Sequence, residues 1–351
     1  MEKYLCIKNL LPGIVFFFIG APSWAQSVHG FKLVEKPGQS QIDIVFNNKL
    51  LTSYVYLDSI KKPILFPVNS LDGITVTRGF PIHKVSGERT DHPHHTGIWL
   101  NYESVNGLDF WNNSNAIAPD RRHRYGTILH KSIVNKKAGK KQASITATAS
   151  WVRPDQKVLL DEKSIYQFTV ANNDFIIDRI TTLTARDTAV LFKDVKDGMF
   201  AIRLARELEQ PSKEKTNYLD DKGNITTVDP SSQGATGLYL SSNGMRGDSV
   251  WGTKGNWVML TGMKENKPIT IAMFDHPSNI GYPAYWHARG YGLFAVNPLG
   301  RKIFSNGTDE LNFSLKPKEA VTFRYRVIIH SGATGTPSEM NKWASDFGKI
   351  K

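Results

Sequence analysis

The sequence predicts an all-β protein: a single large two-sheet antiparallel β-sandwich with a short C-terminal helix. Three observations carry this. Alternating or β-branched apolar runs of strand length recur from end to end. Turn-forming residue pairs separate them. No long amphipathic helix alternates with the runs, which argues against a doubly wound α/β sheet.

Taken in order, the runs predict strands at 42–46, 50–57, 74–77, 145–152, 165–170, 175–183 and 190–195, then at 257–261, 269–274, 311–315 and 321–329. Asn47-Asn48, Asp72-Gly73, Asn106-Gly107, Asn172-Asn173, Lys222-Gly223 and Asn243-Gly244 supply the turns between them. At the end of the chain Thr336 can cap a helix, Pro337 fits its first turn, and Glu339 completes a capping box. Met340, Trp343, Ala344 and Phe347 then form one apolar stripe, so this helix is expected to close one end of the sandwich. No linker, low-complexity tract or repeat divides residues 26–351, which reads as a single domain with a polar excursion over 207–235. The strand number and length suit an extended supersandwich of the galactose-mutarotase kind, a fold-level analogy that brings no mechanism with it.

Residues 1–25 are expected to be a cleaved signal peptide. Lys3 and Lys8 precede the apolar run Leu10 to Gly20, and Ser23 and Ala25 flank Trp24 as small residues before a cleavage point at Gln26. Eleven apolar residues are too few to span a bilayer, which takes about twenty. The chain is therefore expected to be periplasmic or secreted, with no membrane insertion after cleavage. Cys6, the single cysteine, lies in that segment, so neither a disulfide framework nor a Cys-based zinc site is available. The net charge of +12 becomes +11 once Lys3, Lys8 and Glu2 are removed. Scattered basic residues on an exported chain do not suggest a nucleic-acid partner.

Histidine placement is the informative feature. Of ten histidines, three fall within Asp91-His92-Pro93-His94-His95. In an extended backbone His92 and His94 would share a face, well placed to ligate a metal or to divide acid and base roles. Gly97-Ile98-Trp99 and Asp109-Phe110-Trp111 follow, and indole faces beside imidazoles suit sugar rings. A second cluster holds Asp275-His276-Pro277-Ser278-Asn279 and Tyr285-Trp286-His287-Ala288-Arg289, and a third holds Lys193 to Gly198 with Arg203 beyond. There is no Gly-x-Ser-x-Gly elbow, P-loop or dinucleotide fingerprint.

These strings resemble the signature of exported bacterial PmoA-like proteins, a family that carries a methane-oxygenase label. The resemblance rests on Asp91 to His95, Gly97-Ile98-Trp99, Val105-Asn106-Gly107, Asp109-Phe110-Trp111, Lys196-Asp197-Gly198 and Ile202-Arg203. It continues through Trp251-Gly252, Trp257, Phe274 to Asn279, Trp286-His287, Arg289, Tyr291-Gly292, Asn297-Pro298 and Phe323 to Arg326. Thr96 departs from it where a basic residue is usual, and Asp197 stands where a longer Glu is expected. The resemblance implies a β-sandwich, export and a setting in sugar catabolism. It does not imply methane oxidation, which would require membrane spans.

The expected function is an exported carbohydrate-active enzyme, a glycoside hydrolase or a lyase on a glycoside or oxidised sugar. His92, His94, His276 and His287 would supply acid/base groups, with Asp91 or Asp275 orienting an imidazole. One divalent metal on His92, His94 and His276 is an accompanying option. Trp99, Trp111 and Trp286 would form the sugar platform, and Arg203, Arg289, Asn279 and Lys196 would bind the substrate. Two rival readings are a non-catalytic glycan-binding sandwich and a metal-dependent redox protein.

Overall fold

A computed structural model describes residues 1–2, 29–228 and 234–350. The expected signal peptide lies outside the described residues, apart from its first two.

Two eight-stranded antiparallel sheets make up the body. The first sheet opens with β1 (Phe31–Lys36), β2 (Gln41–Phe46), β3 (Lys49–Val55), β4 (Ile64–Val68) and β5 (Ile98–Tyr102). It continues through β11 (Gly198–Arg203), β18 (Leu293–Asn297) and β17 (Tyr285–Arg289). The second sheet runs β14 (Leu238–Ser241), β15 (Trp257–Lys264), β16 (Lys267–Asp275) and β20 (Ala320–Ser331). It then runs β9 (Asp174–Ala185), β8 (Val158–Ala171), β7 (Gln142–Val152) and β6 (Thr127–Ala138). Two small ribbons pair β10 (Val190–Leu191) with β19 (Ser314–Leu315) and β12 (Thr216–Leu219) with β13 (Ile225–Val228). Helix α1 (Arg301–Phe304) is a single turn, and α2 (Pro337–Phe347) is the expected C-terminal helix. Its capping box is formed by Thr336 and Glu339, and Met340 and Phe347 are its buried contacts. Among the described residues no helix is long and apolar enough to cross a membrane.

Period-2 patterning decides which face each strand buries. In β7 Ala143, Ile145, Ala147 and Ala149 point inward while Ser144, Thr146 and Thr148 point out. Side chains from both sheets meet in one core: Tyr54 against Tyr166 at 5.2 Å, and Phe200 stacked on Tyr325 at 4.9 Å. A smaller core lies on the outer face of the first sheet, where Trp99, Trp111, Ala201, Leu293 and Ala295 pack beneath overlying loops. That outer face carries the candidate site.

Several predicted strands are shorter than expected or are not strands. Residues 74–77 make only isolated bridges, from Thr75 to Asn69 and from Thr77 to Leu204. The runs at 190–195 and 311–315 shrink to the two-residue β10 and β19. Side-chain hydrogen bonds replace the ladder there: the Asp194 carboxylate accepts from the backbone of Lys302 and Leu311, and Asn312 Oδ1 accepts from Asp194 N.

One charged group sits deep between the sheets. Arg179 on β9 donates to Glu162 on β8 at 2.9 Å, and Glu162 also accepts from Trp151 Nε1 and Ser164 Oγ. Both partners are buried, so removing one strands the other without water. Glu162→Ala is expected to cost about 3–5 kcal/mol of unfolding free energy in urea denaturation. A cost under about 1 kcal/mol, the range of exposed pairs, would contradict this placement.

Candidate active site

The loop from Arg78 to Gly97 crosses the outer face of the first sheet and is organised around the buried guanidinium of Arg78. Its Nη1 donates to Asp91 Oδ1 at 2.7 Å and to the carbonyls of Asp91 and Arg89, and its Nη2 donates to the carbonyls of His92 and His95. Arg203, from the end of β11, reaches the same carboxylate oxygen at 2.7 Å. Burial would raise the Asp91 carboxyl, but the hydrogen bond with His92 and the two guanidinium charges outweigh it and hold it well below the ordinary carboxylate range. Burial, followed by repulsion from Arg203, lowers Arg78 to about 9, so it stays cationic at neutral pH.

The expected extended run through His92 and His94 is instead a turn. His95 N donates to His92 O at 2.9 Å, and His92 adopts the left-handed region at φ 43°. Pro93, which lacks an amide proton, suits this turn rather than a ladder. As a result His92 stacks parallel on His95 at 4.8 Å, while His94 meets the His92 ring edge-on at 5.6 Å. His95 Nδ1 lies 3.3 Å from Arg203 Nη1, which can only donate, so the His95 proton is assigned to Nε2. Burial pulls both His94 and His95 well below the usual imidazole range, so both are neutral. His94 Nε2, His95 Nε2, Thr96 Oγ1 and Trp99 Nε1 are all buried here without a protein hydrogen-bond partner. Such groups are few in folded proteins, and here they are grouped under one loop.

Strand register lays out the rest. Across four neighbouring strands Trp99, Ala201, Ala295 and His287 stand side by side, and the next row brings Arg203, Leu293 and Arg289 together. The two alanines, both fully buried, lie between the indole and the imidazole in this row. At the far end His287 Nδ1 lies 3.2 Å from the Lys196 carbonyl and 3.4 Å from Asp197 Oδ1. A carbonyl can only accept, so the proton is assigned to Nδ1 and Nε2 carries the lone pair. Burial, opposed by Asp197, lowers His287 to about 4. At the near end His92 Nδ1 bonds Asp91 Oδ2 at 2.9 Å, and its ring is 41 % exposed. Tyr291 covers this end, stacked on His92 at 5.0 Å and on the Arg203 guanidinium at 4.8 Å.

The site therefore gathers Asp91, His92, His94, His287, Arg289 and Lys196 on one face, and leaves out other residues expected there. His276 follows β16 in the second sheet, where its ring bonds Ser278 Oγ and the Ile350 carbonyl and packs on Phe347 of α2. Asp275 and Asn279 hold that same corner: Asp275 accepts from Asn279 Nδ2 and Ala284 N, and Asn279 pairs with the Arg324 backbone. Burial pushes Asp275 up to about 7, and its two oxygens accept from Asn279 and Ala284, not from an imidazole. Trp286 points into the core between the sheets, with Nε1 donating to Gly255 O. Trp99 and Trp111 are fully buried beneath His95, so they support the imidazoles and do not form a sugar platform. Arg203 is 0 % exposed and committed to Asp91, which makes it a positioning residue. The metal set of His92, His94 and His276 fails because His276 lies on the other sheet, and no group of three or more His, Cys, Asp or Glu among the described residues is arranged to hold a metal ion.

Other residues enter that were given no site role from sequence. Asp197, despite its short side chain, reaches His287. Glu103 is raised to about 7 by burial and by the Asp197 charge, and burial also raises Asp109. Lys62 is buried, donates to the His94 carbonyl at 2.7 Å and is lowered by burial to about 7. Tyr291 and Trp251 are the half-buried rings of the site. Arg289 lies over the Trp251 indole at 5.7 Å. Trp251-Gly252 and Tyr291-Gly292 stand among the quoted motifs, which was the available signal.

Residues 41–345 match a family of unknown function, DUF6807, and the chain belongs to that family. This corrects the PmoA-like assignment: the match spanning the motifs that suggested it is to DUF6807 and not to a methane-oxygenase family. Most of those motif residues hold the histidine loop and the sheet corners, a structural role that specifies no oxygenase chemistry. No curated protein matches. Among solved structures, the galactosidase domain of an α-galactosidase–sucrose kinase aligns at 12 % identity and TM-score 0.39, over 87 % of this chain and 42 % of that one. A family 36 α-galactosidase from Geobacillus stearothermophilus in complex with stachyose aligns at 10 % identity and TM-score 0.39, over 87 % and 41 %. A galactose 1-epimerase from Lactobacillus acidophilus NCFM aligns at 11 % identity and TM-score 0.34, over 86 % and 98 %. The chain thus spans about two fifths of the length of the first two.

The neutral state of His287 makes stability pH-dependent with a definite sign. Its folded value near 4 lies below the ordinary 6.5, so between those values the unfolded chain binds the extra proton and stability falls as pH falls. Full titration corresponds to about 3 kcal/mol. Measured by urea denaturation at pH 7 and pH 4.5, the wild type is expected to lose about 2–3 kcal/mol more than His287→Gln. Equal losses would mean that His287 protonates freely in the fold.

Proposed function

We propose that this protein is a carbohydrate-active enzyme that cleaves a glycosidic bond by acid/base catalysis on the outer face of the first sheet. One observation carries the reading: two imidazole–carboxylate pairs, His92 with Asp91 and His287 with Asp197, stand over the outer face of the first sheet. Each imidazole is tied at Nδ1 and leaves Nε2 for proton transfer. His287, held neutral, is the proton acceptor and acts on water or on an acidic sugar C–H. His92, exposed and oriented by the ionised Asp91, returns a proton to the leaving oxygen. Arg289 presents a cationic group at the exposed edge, where oxyanion charge would develop, while Lys196 Nζ pairs with Asp197 at 3.0 Å. Trp251 and Tyr291 supply the ring faces on which a sugar stacks. Hydrolysis and elimination share this arrangement and differ in what His287 deprotonates. The 1–25 segment would place this chemistry outside the cytoplasm.

Tested against a panel of natural and 4-nitrophenyl glycosides, His287→Ala and His92→Ala are each expected to lower kcat by at least about 100-fold, the range of a general acid or base, with a melting temperature close to that of the wild type. His276→Ala should keep near-wild-type turnover. Unchanged turnover in His92→Ala and His287→Ala would overturn the assignment, and sugar binding without turnover in the wild type would favour a glycan-binding module.

A further inference from the structure

At one end of the second sheet the β6–β7 and β8–β9 turns lie side by side, since Gln142 pairs with Thr169 in the β7–β8 register. An open cavity of about 720 Å³ lies there. Lys137, Lys140 and Lys141 line it together with Gln142, Gln167 and Thr169, and no carboxylate does. None of these six side chains makes a hydrogen bond or ion pair among the described residues. Soluble surfaces ordinarily intersperse charges of both signs, so three lysines without an acidic neighbour in one cleft set up a positive field. Asn172, in the β8–β9 turn, lines this cavity and also a second one of about 330 Å³ beside α2. The walls of the second include Asn173, His330 and the Lys342 and Trp343 side chains of α2. Its two carboxylates are already engaged. Asp174 holds His330 Nδ1 at 2.7 Å, and Glu339 accepts from the Thr336 amide and hydroxyl at 2.8 Å. Neither cavity shares a residue with the candidate active site.

We propose that the two adjoining cavities form one groove that holds an acidic polysaccharide, a chain of sugar rings bearing carboxylate or sulfate groups. The lysine ammonium groups meet the anions as point charges. The amides of Gln142, Gln167, Asn172 and Asn173 each offer donors and an acceptor, which suits sugar hydroxyls that do both. Trp343, half-buried beside Lys342, supplies a ring face against which the C–H face of a sugar packs. Other polyanions fit these walls less well. Single-stranded nucleic acid is held by aromatic side chains on which successive bases stack, and the larger cavity has none. A bilayer surface takes up an amphipathic element with a large apolar face, whereas the cleft is lined by lysines, amides and hydroxyls. The inference stands apart from the glycoside-cleaving reading, because a protein that only binds glycans could carry the same groove.

The test measures binding of the full chain to polygalacturonate, to its methyl ester and to duplex DNA across a salt series, by calorimetry. The wild type should bind polygalacturonate at least tenfold more tightly than the methyl ester, which has the same sugar backbone without the charges, and more tightly than the duplex. The triple variant Lys137→Glu, Lys140→Glu, Lys141→Glu should lose at least tenfold in affinity and flatten the salt dependence, as lost ionic contacts do. Lys342→Glu should weaken binding in the same manner, which ties the second cavity to the first. Trp343→Leu should weaken binding with the salt slope unchanged, because stacking releases no counterions. All four lysines are exposed, so their variants test the groove even where Trp343→Leu impairs folding. Equal affinity for polygalacturonate and its ester, no binding to either, or full affinity in the triple variant overturns the anionic groove. DNA binding as tight as that of polygalacturonate overturns the choice of a glycan. Full affinity in both Lys342→Glu and Trp343→Leu overturns the joining of the two cavities.

Discussion

Everything in the candidate site depends on one buried charge arrangement, the carboxylate of Asp91 held between the guanidinium groups of Arg78 and Arg203. Burying three charges is costly unless each is paired and its remaining donors are used. Here the two terminal nitrogens of Arg78 donate to four loop carbonyls as well as to Asp91, while its Nε and that of Arg203 have no protein partner. Those bonds force the tight turn that points His92 outward and drives His94 and His95 inward. A further buried pair, Arg89 with Glu209 at 2.7 Å, clamps the loop just before this turn. The loop is therefore held by electrostatics on a hydrophobic sheet, and the imidazoles gain fixed orientation from it.

The sheet supplies the other half. Two small side chains, Ala201 and Ala295, stand between the large Trp99 and His287 on adjacent strands. Burial of Trp99 and Trp111 beneath His95 gives that imidazole a rigid support, since close-packed indoles tolerate little movement. Burial also keeps His287 and His95 neutral, which is the state a proton acceptor needs at physiological pH. Packing and proton chemistry thus have one cause in this site, the removal of imidazoles from water.

The sequence made part of this legible. The second sheet could be read well because strands such as β7 and β8 alternate buried and part-exposed residues over most of their length. The strands of the first sheet that carry the site, β5, β11, β17 and β18, escaped. They are covered on both faces, so β5 reads Ile-Trp-Leu-Asn-Tyr with no alternation. The histidine cluster and its aspartate were visible as composition, and Asp91, His92 and His287 stand where a site needs them. The repetition of Asp-His-Pro at 275–277 was misleading, because the same tripeptide there closes a corner beneath α2. Aromatic residues were misassigned for a related reason. A sequence shows that Trp99, Trp111 and Trp286 lie near polar groups but not which side of the strand they occupy. Arg78, Lys62 and Glu103 left no signal, since each acts through a partner distant in sequence.

The central claim is that hydrogen bonding gives two buried imidazoles opposite tautomers: His287 with its proton on Nδ1 and a basic Nε2, His95 with its proton on Nε2. Long-range proton–nitrogen correlation spectra of the histidine rings at pH 7, assigned through His287→Gln and His95→Gln, test this directly. The account predicts neutral rings at both positions, with Nδ1 protonated in His287 and Nε2 protonated in His95. A His287 ring protonated at Nε2, or doubly protonated at that pH, would contradict it.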